Sequence, residues 1–78
     1  MFFTINDIIE LKEKNYLVQK VALIDNEAYY EVKEIDKETD ELLFDIKIIK
    51  GIKEEEKLYI EEIDEEELLI RIKDNLKS

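Results

Sequence analysis

The side chains that carry most enzyme chemistry are scarce in this 78-residue chain. Histidine is absent, so no side chain has an unperturbed pKa near neutrality. Cysteine is absent too, which removes the thiolate nucleophile. The one serine, Ser78, stands last in the sequence and is not expected to be held between a base and an orienting acid. Thr4 and Thr39 have no base partner nearby in sequence. Arg71 is the only arginine, and the single glycine, Gly51, excludes a phosphate-cradling loop of the Walker or dinucleotide type. What remains is 22 carboxylates, so many that no given pair is informative. Asp36, Glu38 and Asp40 have the alternating spacing of a calcium loop. The sharp-turn glycine is replaced by Glu41 and the closing bidentate acid by Lys47, so the match fails. Neither a metal nor a cofactor is expected, and the inventory points to a protein that binds rather than one that catalyses.

The net charge of −10 is unevenly distributed. Residues 1–24 balance Asp7, Glu10 and Glu13 against Lys12, Lys14 and Lys20, so the whole excess lies in residues 25–78. It peaks between Glu54 and Glu67, where nine carboxylates accompany only Lys57. A field of this sign repels nucleic acid and anionic membrane and attracts basic protein surfaces. The expected partner is therefore a protein with a basic surface, with no direct nucleic-acid binding. No apolar run approaches the length of a membrane span, and no basic stretch precedes an apolar one at the N-terminus, so neither a membrane helix nor a signal peptide is expected. Together with the lack of cysteine this suits a cytoplasmic setting. Charged residues make up 44% of the chain, but 45% is hydrophobic, including 13 isoleucines, which is too apolar for a disordered segment.

The elements that must present these charges read as strands. Proline is absent, so turns are read from polar clusters: Lys12–Asn15, Asp25–Glu27 and Asp36–Glu41, with Lys50-Gly51 as a fourth break. Between the breaks the apolar period is two. In Leu42–Ile49, Leu42, Phe44, Ile46 and Ile48 alternate with Leu43, Asp45 and Lys47, which predicts that the first set faces the core and that Asp45 and Lys47 face water. Ala28–Ile35 alternates in the same way, and Tyr16–Ile24 is apolar on both faces except at Gln19 and Lys20, as a central strand would be. Residues 4–14 fit either a short strand around Asp7–Leu11 or a helix capped by Thr4.

Near the C-terminus a strand Lys57–Ile63 leads to a helix over 65–76, with Asp64 as N-cap, Glu67 as its acidic third residue, and Leu68, Leu69, Ile72 and Leu76 as the buried stripe. One long helix from about Lys53 to Leu76 is the competitor. The fold class that follows is α+β in a single domain, 1–78: a small antiparallel β meander or SH3-like barrel of four to five strands with a C-terminal helix. An edge strand of such a sheet offers a route to a homodimer.

The candidate contact residues combine charge and aromatic area. Glu61, Glu62, Asp64, Glu65, Glu66 and Glu67 form the densest acidic feature, which serves either as a solubilising helix start or as a spread of carboxylates imitating DNA phosphates. Tyr29 and Tyr59 fall on the outward register of their strands, beside that rim, and tyrosine is a common interface anchor. The segments Asp7-Ile8-Ile9-Glu10-Leu11, Tyr16-Leu17-Val18 and Tyr29-Tyr30, set in a short acidic chain rich in isoleucine and lysine, resemble the small sheet-rich inhibitors encoded by phages of low-GC bacteria, among them anti-CRISPR proteins and DNA mimics. That resemblance implies a stoichiometric inhibitor blocking a basic nucleic-acid-binding site on a host defence protein, and assigns no residue a role. The rival reading is a bacterial housekeeping adaptor or complex subunit with a tyrosine and apolar interface. An enzyme using carboxylates alone stands behind both.

Overall fold

Pairs of polar residues between apolar runs fold this chain into successive hairpins. A computed structural model describes residues 2–77. Five strands, β1 (Ile8–Leu11), β2 (Lys14–Ile24), β3 (Glu27–Ile35), β4 (Leu42–Glu54) and β5 (Lys57–Glu62), precede one helix, α1 (Glu66–Asn75). The sheet order is β1-β2-β3-β4-β5 with every neighbouring pair antiparallel, a meander curled into a nearly closed barrel. The α+β class with a small barrel and C-terminal helix is the observed architecture.

Two of the tight turns put both central residues at positive φ, Lys12-Glu13 (52° and 67°) and Asp25-Asn26 (52° and 68°). That is the mirror-image turn whose twist matches paired strands. The open choice at residues 4–14 resolves to a strand. The Asp7 carboxylate accepts from the Thr4 amide at 2.8 Å and so closes a turn ahead of β1.

The sheet is apolar on two faces because β2 changes sides. Val18 pairs with Val32 but Lys20 pairs with Glu31, so Gln19 is an extra residue, a bulge that reverses the facing of everything after it. Before the bulge Tyr16 and Val18 point into the barrel, with Ile9, Tyr30, Val32 and Ile49. After it Ala22 and Ile24 point outward and join Tyr29, Ile48, Ile63 and Ile72 under the helix. The two-sided apolar character of Tyr16–Ile24 thus reflects both a central position and a change of face.

Four expectations need correction. Lys50-Gly51 is no break: β4 runs on to Glu54, and Gly51 sits inside it. Asp64 is not the N-cap. That position falls to Glu65, whose carbonyl accepts the Leu69 amide at 2.9 Å, and no side chain caps the helix. Tyr29 is outside the barrel as its register says, but it is only 5% exposed because α1 covers it. The last correction concerns Leu42, Phe44 and Ile46. Their alternation is real, yet Phe44 is 97% exposed and the other two are about half exposed, while Ile48 alone of that set is buried. All four share the outer face with the helix. At ten residues α1 is about 15 Å long, and it buries Ile48 but leaves the start of β4 uncovered. Asp45 and Lys47 point instead toward the barrel end, half-buried.

Candidate interaction surface

Around the end of the barrel, polar side chains are used to hold strands together. The Tyr16 hydroxyl donates to Asp45 Oδ2 at 2.9 Å, Lys47 Nζ lies 3.8 Å from the same oxygen and donates to Glu62 Oε1 at 2.7 Å, and Lys12 reaches Glu62 Oε2 at 3.9 Å. The chain of contacts runs from β2 through β4 to β5 and back to the β1–β2 turn. Burial, reinforced by the Asp45 carboxylate, pushes the Tyr16 hydroxyl up to about 12. The hydrogen bond to Glu62 raises Lys47 above the ordinary lysine range. Such groups stay in one protonation state near neutrality, so they fit a clasp and cannot shuttle protons.

A second set serves the outer face. Lys50 lies 2.8 Å from Glu27 Oε1 and 5.9 Å from the centre of the Tyr29 ring, while the Tyr29 hydroxyl donates to Glu27 Oε2 at 3.0 Å. Lys50 and Tyr29 together hold the Glu27 carboxyl below its usual range, and burial raises the Tyr29 hydroxyl. Asp36, first residue of the calcium-like spacing, is occupied by its own turn. Its Oδ1 accepts the amides of Glu38 and Thr39 at 2.8 and 3.1 Å, which lower its pKa. Among the described residues no group of three or more acids is gathered as a metal site.

The acidic run behaves differently. Glu61, Glu62, Asp64 and Glu65 ring a shallow depression of about 130 Å³ floored by Ile63 and Leu68, where β5 hands over to α1. All four carboxylates are exposed, and so is Glu66 at the first turn of the helix, where negative charge meets the positive end of the helix dipole. Glu62 is neutralised by Lys47, but among the described residues Glu61, Asp64, Glu65 and Glu66 make no ion pair. Tyr59 stands half exposed on β5, two residues before Glu61 and on the same side. The structure therefore brings together Tyr59, Glu61, Glu62, Asp64, Glu65 and Glu66 and separates Tyr29, which lies under the helix.

Reasoning from the sequence missed the apolar edge of Leu42, Phe44 and Ile46. The signal that could have found it is Ile49. Adjacent buried isoleucines at 48 and 49 mean that β4 is covered on both faces only from there on. No family model, curated protein or solved structure matches this chain. No helix among the described residues is long and apolar enough to cross a membrane.

Proposed function

We propose that the protein works by binding, without chemistry of its own, and that its acidic run occupies a basic nucleic-acid-binding site on a partner protein, as a phage-encoded inhibitor of a host defence protein would. The observation that carries this reading is the group of exposed carboxylates at Glu61, Asp64, Glu65 and Glu66, none of them in an ion pair among the described residues, presented together by the junction of β5 and α1. Ion pairs elsewhere hold strands in place, whereas these acids leave their field directed at solvent. Such a field speeds encounter with a basic partner and yields an association that weakens as salt rises.

The test is charge reversal in a setting where folding is controlled. Changing Glu61, Asp64, Glu65 and Glu66 to Lys spares Glu62 and its bond to Lys47, so the clasp survives. Partners retained from host extract by the native chain are identified by mass spectrometry, and their affinity is measured at two salt concentrations with and without competing DNA or RNA. The reading expects the four-lysine variant to lose binding with an unchanged circular dichroism spectrum, and nucleic acid to compete. Tight binding indifferent to salt and to nucleic acid would sink it.

A second reading, a cytoplasmic adaptor or complex subunit with an apolar interface, is favoured by one observation, the exposed Phe44. It expects little salt dependence and full sensitivity to changes at Phe44.

A further inference from the structure

The β5 ladder ends at Ile49, and the next carbonyl of β4, Ile48, accepts the Ile63 amide at 2.8 Å. Beyond that point, among the described residues, β4 has β3 on one side and no strand on the other, so Leu42–Lys47 is a free edge. Backbone groups alternate sides along a strand. The Glu41 carbonyl turns toward the β3 side, where it accepts the Asp36 amide at 2.9 Å, and the Ile48 carbonyl turns away from it. Leu42 and Ile46 therefore direct their amides and carbonyls to the open side. Between them the β3–β4 register shifts, Lys33 facing Ile46 and Ile35 facing Leu42, so the strand bulges around Phe44, and the side chains of all three are exposed.

We propose that this edge pairs with the same edge of a second copy of the chain, antiparallel about a two-fold axis at Phe44. The choice of occupant rests on self-complementarity. With Phe44 on the axis, Leu42 meets Ile46 of the second copy, a relation that occurs twice. The free stretch is centred on Phe44, and the register uses its whole length without reaching the part of β4 closed by Ile63. Charge points the same way. Leu42–Lys47 holds one acid and one base, a neutral strip in a chain of net charge −10, so a basic partner finds no attraction there. Beside the edge, Ile46, Ile48, Ile63 and Leu69 line a groove of about 380 Å³, into which apolar side chains of the second copy can settle. Leu42, Phe44 and Ile46 expose roughly half of the ~800 Å² that each partner contributes to a standard interface, which makes the dimer a weak one. It stands apart from the acidic-surface reading and has the opposite salt response. Two copies of like net charge associate more tightly as salt rises.

The cysteine-free chain makes the register testable. Paired Cα atoms at position 44 would lie about 5.5 Å apart, inside the ~4.4–6.8 Å span of a disulfide. On oxidation Phe44→Cys is expected to give a covalent dimer. Leu42→Cys and Ile46→Cys alone, whose copies lie roughly 13 Å or more apart along the strand, are expected to give none, and a mixture of those two variants to cross-link with each other. Sedimentation of the native chain from micromolar to millimolar concentration should show a monomer–dimer equilibrium that salt strengthens and that Phe44→Asp weakens by about tenfold or more, with an unchanged circular dichroism spectrum. A native chain that stays monomeric throughout, or a Phe44→Cys that cross-links no faster than Ile70→Cys on the exposed helix face, overturns the proposal and leaves the edge to a different protein. Ready cross-linking of Ile46→Cys with itself overturns it as well.

Discussion

The ring of Phe2 packs so closely over Gly51 that a β-carbon at position 51 would stand 2.5 Å from Phe2 Cδ2. The glycine sits in a regular strand at negative φ, so its value is the room it leaves and not the backbone freedom it allows. Phe2 is held there by its own amide, which donates to the Tyr30 hydroxyl at 3.0 Å. Gly51→Ala is expected to destabilise the fold by about 1–3 kcal/mol through overpacking. In a Phe2→Ala background the same change should cost much less. Denaturant titration of the four chains in this cycle measures the coupling, and additive effects would show that the ring yields freely.

Burial reverses the ranking of β4 residues that alternation alone suggests. Ile49 is fully buried between Tyr16, Val18, Tyr30 and Val32, and Ile49→Ala should cost about 2–5 kcal/mol. Phe44→Ala, measured by denaturant titration at a concentration where the chain is monomeric, should fall within about 0.5 kcal/mol of the native protein. A large loss at Phe44 in the monomer would mean that this ring is packed rather than free.

The Tyr16 clasp makes stability fall at alkaline pH. Its folded pKa of about 12 lies above the ordinary value of 10.0, so the protonated phenol is favoured by folding. The contribution is present in full below pH 10 and is lost as pH climbs from 10 through about 12. Ultraviolet titration of the phenolates should find a tyrosine ionising near the upper value. Tyr16→Phe, which has no proton to lose, should flatten the stability profile in that window. An unchanged profile in Tyr16→Phe would place the alkaline transition elsewhere.

The two-sided apolar run at 16–24, the period-two runs at 28–35 and 42–49 and the helical stripe of Leu68, Leu69, Ile72 and Leu76 made the element order and class readable from local pattern. Coverage was harder to read, because it depends on where a distant element ends. Whether Phe44 or Tyr29 is buried turns on the reach of a ten-residue helix across a sheet face, a distance that no window of sequence contains. Gly51 looked like punctuation because the neighbour that needs its missing side chain, Phe2, lies 49 positions away. The exposure of Glu61, Asp64, Glu65 and Glu66 was legible, since it demands no partner, whereas the pairing of Glu62 with Lys47 was not. The clasp of Tyr16, Asp45, Lys47 and Glu62 was not, because it is assembled from three strands.

The meander order has a consequence for how the molecule comes together. Every ladder joins strands consecutive in the chain, and short turns close cheaply, so β1 to β5 can zip in the order of synthesis. The helix alone must travel back across the sheet, to Ala22 and Ile24 and to the paired amides and carbonyls of Val21 and Lys77. Docking of α1 over Tyr29 and Ile48 is therefore expected to be the closing step of folding and the first to be undone.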